Sequence, residues 1–552
     1  MGASRLAPDS EGVPTVSRLR ELRGVPRWSA APDYSITHDA LFAQDPDAVA
    51  LITGGGDAPP RITFGEVRRA ALRIGGILRA HGVQPGDRVA LYLDPSPAAA
   101  EVVFGVLAAG AVLLPIPRLL AGTSVAHRLG DSAAKVLVSD GAGLDRLRAT
   151  GCGVEDLVVL TVDGAEGRGI AGQRAGADLD APYPGGPSRP ALLLYTSGTS
   201  GPPKGVVHGH QVLLGHGGVD CAFEFFEAGD VYYGTADWGW IGGLLLGLLV
   251  PWSFGVPVVA HRQAHFDPDA TLDLFARCGV TTAFLPPSVL RLLRANDRAP
   301  ERRLRAVVTG GEPAGRPEME WARRHLARAV NKAYGQTEAN ALIGDSGVLG
   351  SVDDDTMGAP YPGHRIALLD DAGQEVGHGE VGEIAVALPD PVAMLGVWDA
   401  ASERPLPPAG PWHRTGDLAR RAHGRRLEYL GRADDVIKSR GYRIGPSEIE
   451  DAVVKHARVA EAAAVGVPDD RLGQHVKVFL RLADGEPGEP AEVGDDFRAE
   501  LCALVAASVG PHARPREFEV VPALPRSETG KLLRRRLTSP THRHTTTTVN
   551  ES

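Results

Sequence analysis

Cysteine and lysine are both scarce in this chain of 552 residues. The four cysteines are Cys152, Cys221, Cys278 and Cys502, and no two of them form a C-x-x-C pair. This spacing argues against a zinc ribbon or a disulfide scaffold and favours a reducing compartment, so we expect a cytoplasmic protein. Only seven of the 58 lysines and arginines are lysines. A lysine that falls inside a motif is therefore a candidate for a specific chemical role.

The sequence also lacks an excess of positive charge and a clear membrane span. Its net charge of −10 provides no field that would attract a phosphate backbone, which argues against a nucleic-acid partner. The first 30 residues carry charges throughout, so no signal peptide is expected. Residues 241–260 carry no charge, but Pro251 and Gly255 interrupt them. We predict a buried helix, a turn and a buried strand over 256–260 there, and no membrane span.

Several common catalytic signatures are missing. The H-R-Q-A-H segment at 261–265 has the histidine spacing of a zinc protease but lacks the glutamate. The sequence contains no G-x-S-x-G elbow and no G-x-G-x-x-G directly after a predicted strand. These absences argue against an α/β-hydrolase and a simple dinucleotide-binding domain.

Apolar runs and amphipathic segments alternate along most of the chain. Short buried strands are predicted at residues 48–53, 88–93, 112–116, 135–139 and 190–195. Between the first two, Thr63 and Glu66 form a capping box that opens a helix to about Ala80. This alternation predicts an α/β fold with parallel-rich sheets.

The sequence divides into four predicted segments. Residues 1–35 form an irregular arm, 36–432 a large N-terminal domain, 433–537 a small C-terminal domain and 538–552 a disordered tail. The boundary lies where charge and glycine become dense near residue 430. Behind it, Ser447 and Glu450 form a second capping box that opens a helix.

The most informative stretch is Y-T-S-G-T-S-G-P-P-K-G at 195–205, directly after a predicted strand. Its hydroxyl side chains and glycine N–H groups suit a polyphosphate, and Lys204 adds a compact positive charge. It is not a Walker loop, because the glycine spacing differs and a strand follows the lysine.

This loop resembles the signature of the adenylate-forming superfamily, which includes acyl-CoA synthetases, adenylation domains and luciferases. Five further motifs follow in the order of that family, and the resemblance extends over roughly residues 40–537. They lie at 310–313 (G-G-E-P), 334–338 (Y-G-Q-T-E), 415–417 (T-G-D), 431–443 (G-R-A-D-D through G-Y-R) and 525–531 (P-R-S-E-T-G-K).

The resemblance implies an N-terminal AMP-binding domain and a small α+β C-terminal domain on a hinge. It also implies a reaction in which a carboxylate attacks the α-phosphate of ATP, pyrophosphate leaves, and the acyl group passes to coenzyme A, with Mg²⁺ as the metal. The implied ATP-binding residues are Thr196, Ser197, Gly198, Thr199, Ser200, Lys204, Gly311, Glu312, Pro313, Tyr334, Asp417 and Arg432. The implied catalytic residues are Lys531, Thr337, Glu338 and Arg443, with Glu338 also the magnesium ligand.

Two more residues have implied roles in the second half-reaction. Asp434 corresponds to the hinge about which the C-terminal domain rotates, exchanging Lys531 for the Gly441 loop. Gly441 has no side chain, so a pantetheine arm can pass close to its backbone.

The resemblance also indicates the acid pocket. Trp238, Trp240 and Gly242 align with the segment that lines it, and acetate- and propionate-activating members carry tryptophan at the position of Gly335. Glycine there predicts an open pocket and a medium-chain, branched or aromatic acid. Ala339-Asn340, directly after the Q-T-E sequence, differs from the commoner Thr-Gly.

Three alternatives remain beside the acyl-CoA synthetase. The chain could load an acyl carrier protein as a stand-alone adenylation enzyme, act as a non-catalytic ATP-binding module, or act as a luciferase-like oxygenase. The presence of Lys531, Glu338 and Asp417 argues against the non-catalytic module, and no residue specifically indicates the oxygenase.

Overall fold

The computed structural model describes residues 31–56, 58–165, 168–170, 177–196, 203–216, 226–263, 265–296, 298–346, 353–439, 442–469, 472–483, 493–526 and 532–538. Most of the predicted arm and tail lie outside these ranges. Six predicted site residues also lie outside them: Ser197, Gly198, Thr199, Ser200, Gly441 and Lys531.

Strands and helices alternate through the first two thirds of the chain, as predicted. The strands are β1 Val49–Thr53, β2 Arg61–Thr63, β3 Arg88–Tyr92, β4 Val112–Pro115, β5 Val136–Ser139, β6 Val158–Thr161, β7 Pro190–Thr196, β8 Lys204–Gly209, β9 Tyr232–Gly234, β10 Val258–Ala260, β11 Thr282–Phe284, β12 Leu304–Gly310, β13 Ala327–Tyr334, β14 Ile343–Gly344, β15 Ala359–Pro360, β16 Ile366–Leu369, β17 Val381–Ala387, β18 Gly396–Asp399, β19 Arg404–Leu406, β20 Trp412–Arg421, β21 Leu427–Arg432, β22 Ile437–Ser439, β23 Tyr442–Ile444, β24 Val459–Asp469, β25 Gly473–Leu482 and β26 Glu517–Val520.

The α-helices are Phe64–Ala80, Pro97–Ala108, Thr123–Asp131, Gly141–Ala149, Gln211–Gly215, Ile241–Leu244, Val250–Ser253, Pro268–Cys278, Pro287–Ala295, Arg316–Trp321, Pro446–Val453, Asp495–Ser508 and Arg534–Thr538. Shorter turns of π-helix lie at His38–Phe42, Leu245–Leu249 and Ala322–Leu326, and a 3₁₀ turn lies at Pro511–Ala513. The predicted capping box at Thr63 is confirmed, because its side chain accepts from Glu66 N and Glu66 accepts from Thr63 N.

The chain forms two compact units, residues 1–366 with 386–413 and residues 367–385 with 414–552. The second unit includes β21, which ends at Arg432, together with the segment behind it. The boundary predicted after residue 432 stays a prediction.

The first unit contains two large sheets with parallel centres. One has the order β15-β14-β13-β12-β11-β9-β10-β1-β2 and the other β19-β18-β8-β7-β4-β3-β5-β6. The pairings from β13 through β1 in the first sheet and from β7 through β6 in the second are parallel, whereas the edge strands β2, β15 and β19 pair antiparallel. These parallel-rich sheets confirm the predicted α/β class.

The uncharged run at 241–260 lies in the core of the first unit. Trp252 is fully buried, stacks on Phe104 at 5.0 Å between ring centroids and donates from Nε1 to Ala50 O at 2.9 Å. The helical segment continues to Ser253, past the predicted break, because Pro251 falls in the first turn of Val250–Ser253, where proline is tolerated. None of the helices in the described ranges has the length and apolarity needed to cross a membrane.

The second unit is α+β. It contains the sheet β16-β17-β20-β21 and a C-terminal sheet with the order β23-β22-β25-β24, to which β26 adds alongside β25. The predicted helix start at Ser447 is wrong by one residue. The helix begins at Pro446, and Glu448, not Glu450, returns to the cap by accepting from Gly445 N at 3.3 Å. Proline is favoured at the first helical position, which explains the earlier start.

Candidate active site

The phosphate-binding motif connects the two strands of a hairpin. Strand β7 pairs antiparallel with β8, and Thr196 faces Lys204 at the end of the pairing. Lys204, the first residue of β8, is exposed at this end of the strand pair. The strand predicted after Lys204 is confirmed.

Residues far away in the sequence bind Tyr195 and Pro203, two described residues of the phosphate-binding motif. Tyr195 donates its hydroxyl to Asp131 Oδ2 at 2.6 Å, and His127 donates from Nε2 to Pro203 O at 3.0 Å. Both partners lie on the helix Thr123–Asp131. Sequence reasoning missed them, because no motif marks a support that lies about 70 residues before the loop.

The Y-G-Q-T-E motif also lies in a hairpin, between β13 and β14. Tyr334 pairs with Ile343, and Leu342 N donates to Tyr334 O at 2.8 Å. We call residues 335–341 the 335–341 loop. It carries both Thr337 and Glu338, and Glu338 O accepts from Met394 N at 2.8 Å. The loop that carries the predicted catalytic pair is therefore fixed through its backbone.

One buried histidine connects the two hairpins. His208 lies on β8, four residues after Lys204, and is fully buried. Its Nε2 donates to Thr337 O at 2.6 Å. This hydrogen bond connects β8, which begins at Lys204, to the predicted catalytic residue Thr337 in the loop between β13 and β14, although β8 belongs to a different sheet.

Burial lowers the pKa of His208, and likewise that of His216, to about 4. Both side chains are neutral in the native protein near pH 7, whereas in the unfolded chain they gain protons below about pH 6.5. Their contribution to stability is therefore complete above pH 6.5 and decreases as the pH falls towards 4. Between pH 7 and 5, we expect the unfolding free energy of wild type to fall by about 2 kcal/mol more than that of His208→Gln. Urea titrations at both pH values measure this difference. An equal fall in the unfolding free energy of wild type and His208→Gln would contradict it.

The 310–313 motif is partly engaged with the protein itself. Gly311 has a φ of +91°, a conformation that favours glycine. The Glu312 carboxylate accepts from Ser288 N at 2.7 Å and from Arg291 at 3.2 Å. Glu312 therefore stabilises the first turn of the helix Pro287–Ala295, and its predicted contact with ATP stays a prediction.

The predicted acid-pocket segment is held in place by a buried carboxylate. Asp237 Oδ1 accepts from Gly239 N at 2.7 Å, and Oδ2 lies 3.0 Å from Arg262 Nη1. Burial raises the pKa of Asp237. Next to it, Trp238 is only 3% exposed, so most of this side chain is core, whereas Trp240 is half-buried. Sequence reasoning missed Asp237 because its ion-pair partner follows a different strand, β10.

The two pocket glycines differ in their surroundings. A Cβ built at Gly242 would meet no atom within 4 Å, in agreement with a position beside open space. A Cβ built at Gly335 would lie 2.3 Å from Ala341 N and 2.9 Å from Asn340 C. The premise that glycine at 335 leaves its side-chain position open is therefore wrong. The backbone of residues 340 and 341 fills that position.

The second unit brings together two of the predicted ATP-binding residues. Asp417 and Arg432 face each other across β20 and β21, and Arg432 Nη1 lies 3.4 Å from Asp417 Oδ1. Tyr429 also donates its hydroxyl to that oxygen at 3.3 Å. Asp417 is 4% exposed, so it is a buried carboxylate oriented by two donors.

The predicted hinge lies among arginines of the last described helix. Asp434 pairs with Arg535 at 2.9 Å, and Asp435 pairs with Arg534 at 3.3 Å. Arg534 also binds Glu450 at 2.7 Å. Arg443 lies on β23 opposite Lys438.

Comparison with known proteins identifies the family to which this fold belongs. The AMP-binding enzyme family matches residues 38–398, and the AMP-binding enzyme C-terminal domain matches residues 448–531. Acetyl-coenzyme A synthetase of Bacillus subtilis is 29% identical over 503 residues, spanning 88% of this chain and 86% of that protein. Mitochondrial acyl-coenzyme A synthetase ACSM3 of Mus musculus is 28% identical over 490 residues, spanning 86% and 84%.

A solved structure gives the same result at the level of the fold. The acyl-CoA synthetase of Brucella canis matches with a TM-score of 0.69 at 30% identity, covering 92% of this chain and 95% of that one. The fold and the two family matches define an adenylate-forming enzyme. The chain belongs to the AMP-binding enzyme family.

Proposed function

We propose that this protein is an acyl-CoA synthetase. It activates a carboxylic acid as the acyl-adenylate, releases pyrophosphate and transfers the acyl group to coenzyme A. The observation that carries the proposal is the hydrogen bond from His208 to Thr337 O, because it connects β8, which begins at Lys204, to the loop that carries Thr337 and Glu338. The names of the relatives in Bacillus subtilis, Mus musculus and Brucella canis support the same activity.

The reaction brings two anions together, so the site has to supply positive charge and alignment. Lys204 and the hydroxyl groups at 196–200 hold the β- and γ-phosphates, and Thr337 donates to the α-phosphate. Tyr334 offers its ring to adenine beside residues 311–313, and Asp417 accepts from the ribose hydroxyls with Arg432 beside it.

A magnesium ion fits this set of residues. Within the described part of the chain, no group of three or more His, Cys, Asp or Glu side chains could hold a metal. Glu338 would supply one carboxylate, and the substrate phosphates and water would supply the other oxygens, as is usual for Mg²⁺ at nucleotide sites. When bound there, the ion would neutralise phosphate charge.

The C-terminal domain serves both half-reactions in this proposal. Lys531 bridges the substrate carboxylate and the α-phosphate during adenylation, with Arg443 adding charge. Rotation about Asp434 then replaces Lys531 by the Gly441 loop, beside which the pantetheine thiol reaches the adenylate.

For the acid, we propose a medium-chain, branched or aromatic carboxylate. No tryptophan side chain extends from position 335, and the open space at Gly242 leaves room beside Trp240. The backbone at residues 340 and 341 limits the pocket near Gly335, so the acid has to extend along the side of Gly242.

A panel of acids from C2 to C12 and aryl acids tests the proposal in an ATP- and acid-dependent AMP-release assay. Each acid is supplied with either coenzyme A or a holo-acyl carrier protein. We expect acyl-CoA formation with acids larger than propionate. Strong preference for acetate would contradict the proposed acid class, and acyl transfer to the carrier protein alone would favour the stand-alone adenylation enzyme.

A further inference from the structure

The 335–341 loop contains a buried amide that no motif marks. Asn340 is 7% exposed. Its Nδ2 lies 3.4 Å from both Gln336 O and Thr337 O, inside the loop. Its Oδ1 lies 3.1 Å from Nε2 of His216, and its backbone N donates to Val392 O at 3.4 Å. One side chain therefore spans the loop from inside and connects it to a neighbouring element.

The chemistry of these contacts fixes the orientation of both side chains. Two carbonyl oxygens only accept, so the amide nitrogen of Asn340 has to face them. Its oxygen then faces His216, which has to carry its proton on Nε2. The Nδ1 of His216 is buried and has no hydrogen-bond partner within the described part of the chain. The neutral Nε2–H tautomer satisfies the pair.

The same residue shapes the turn that fills the side-chain position of Gly335. Ala341 has a φ of +45°, in the left-handed region that residues with a Cβ rarely adopt. Gln336 N closes the turn by donating to Ala339 O at 2.7 Å. A strained turn persists where its surroundings determine it, and Asn340 supplies contacts from inside.

We propose that Asn340 and His216 form a positioning pair. The pair holds Thr337 in place for the α-phosphate and makes the backbone at residues 340 and 341 a fixed wall of the acid pocket. This inference rests on the proposed function for its consequences in catalysis. The pair itself touches no reacting atom.

Asn340→Ala and His216→Leu test the pair, with His216→Gln as the conservative variant, because a glutamine N–H can still donate to Asn340 Oδ1. In acid-dependent ATP–pyrophosphate exchange, we expect Asn340→Ala and His216→Leu to lower kcat about 10- to 100-fold. The KM for ATP should change by less than about threefold, and the acid-length profile should widen. His216→Gln should retain kcat within about threefold of wild type.

His210→Gln provides the matched control for general destabilisation. His210 is also buried, but its Nδ1 accepts from Ile36 N, outside the loop. We expect this variant to lose thermal stability and to keep the acid-length profile. A profile that widens equally in His210→Gln would overturn the proposal.

Hydrogen–deuterium exchange of peptides covering residues 333–345 gives a second readout that does not depend on turnover. Exchange should accelerate in Asn340→Ala and His216→Leu and stay near wild type in His216→Gln. Unchanged hydrogen–deuterium exchange together with an unchanged acid-length profile overturns the positioning pair. Absence of ATP–pyrophosphate exchange in wild type with every acid overturns the proposed function instead.

Discussion

Replacing Lys531 with alanine should lower acid-dependent ATP–pyrophosphate exchange by about 10²- to 10³-fold, the usual loss when one group that stabilises transition-state charge is removed. In the proposed mechanism, this ammonium neutralises the attacking carboxylate and the α-phosphate at the same time. Arginine is the common cation in this chain, and a compact lysine at this position suits a crowded phosphate site better than a broad guanidinium.

The control for Lys531 comes from the same domain. Lys455 is exposed and donates from Nζ to Ser508 Oγ at 3.3 Å, so Lys455→Ala should leave ATP–pyrophosphate exchange unchanged. Thioester formation from supplied acyl-adenylate and coenzyme A should also survive in Lys531→Ala, because the Gly441 loop serves that step. Exchange at the wild-type rate in Lys531→Ala would remove this lysine from the mechanism.

Gly335→Trp should disrupt the protein and not convert it to an acetate-activating enzyme. The new Cβ would lie 2.3 Å from Ala341 N, a distance at which the backbone of the 335–341 loop has to move. We expect a loss of about 3 kcal/mol or more in the unfolding free energy. We also expect a loss of about 100-fold or more in exchange with every acid, because the displaced loop carries Thr337 and Glu338.

Gly242→Ala is the matched glycine substitution. Its Cβ would meet no atom within 4 Å, so stability should change by less than about 0.5 kcal/mol. Chemical denaturation measures the unfolding free energy of both variants, and the acid panel measures their acid preference. If Gly335→Trp folded normally and preferred acetate, the loop would have another available conformation, and glycine at 335 would determine acid size directly.

Much of the fold could be predicted from local patterns. The capping box at Thr63 and the strands that flank the phosphate motif depend on residues close together in sequence, and the structure confirms them. The helix begins at Pro446, one residue before the predicted start, because Glu448 accepts from the Gly445 backbone, whereas Glu450 is engaged with Arg534.

The supports of the site could not be predicted in the same way. His208, His127 and Asp237 act on loops that reach them only after the two sheets of the first unit are in place. A histidine or aspartate that binds a distant backbone group leaves no periodic or motif signal. The role of such a side chain depends on its burial and on the group it binds, and both are properties of the folded chain.

The family, the fold class and the order of the chemical motifs follow from the amino-acid sequence, because they depend on short segments whose residue types match a specific chemistry. The surroundings of each motif follow from the folded structure. It showed that Gly335 faces backbone and not open space, since the path of residues 339–341 depends on Asn340, His216 and the 392–394 segment. Pocket shape follows from long-range packing, whereas motif chemistry follows from local sequence.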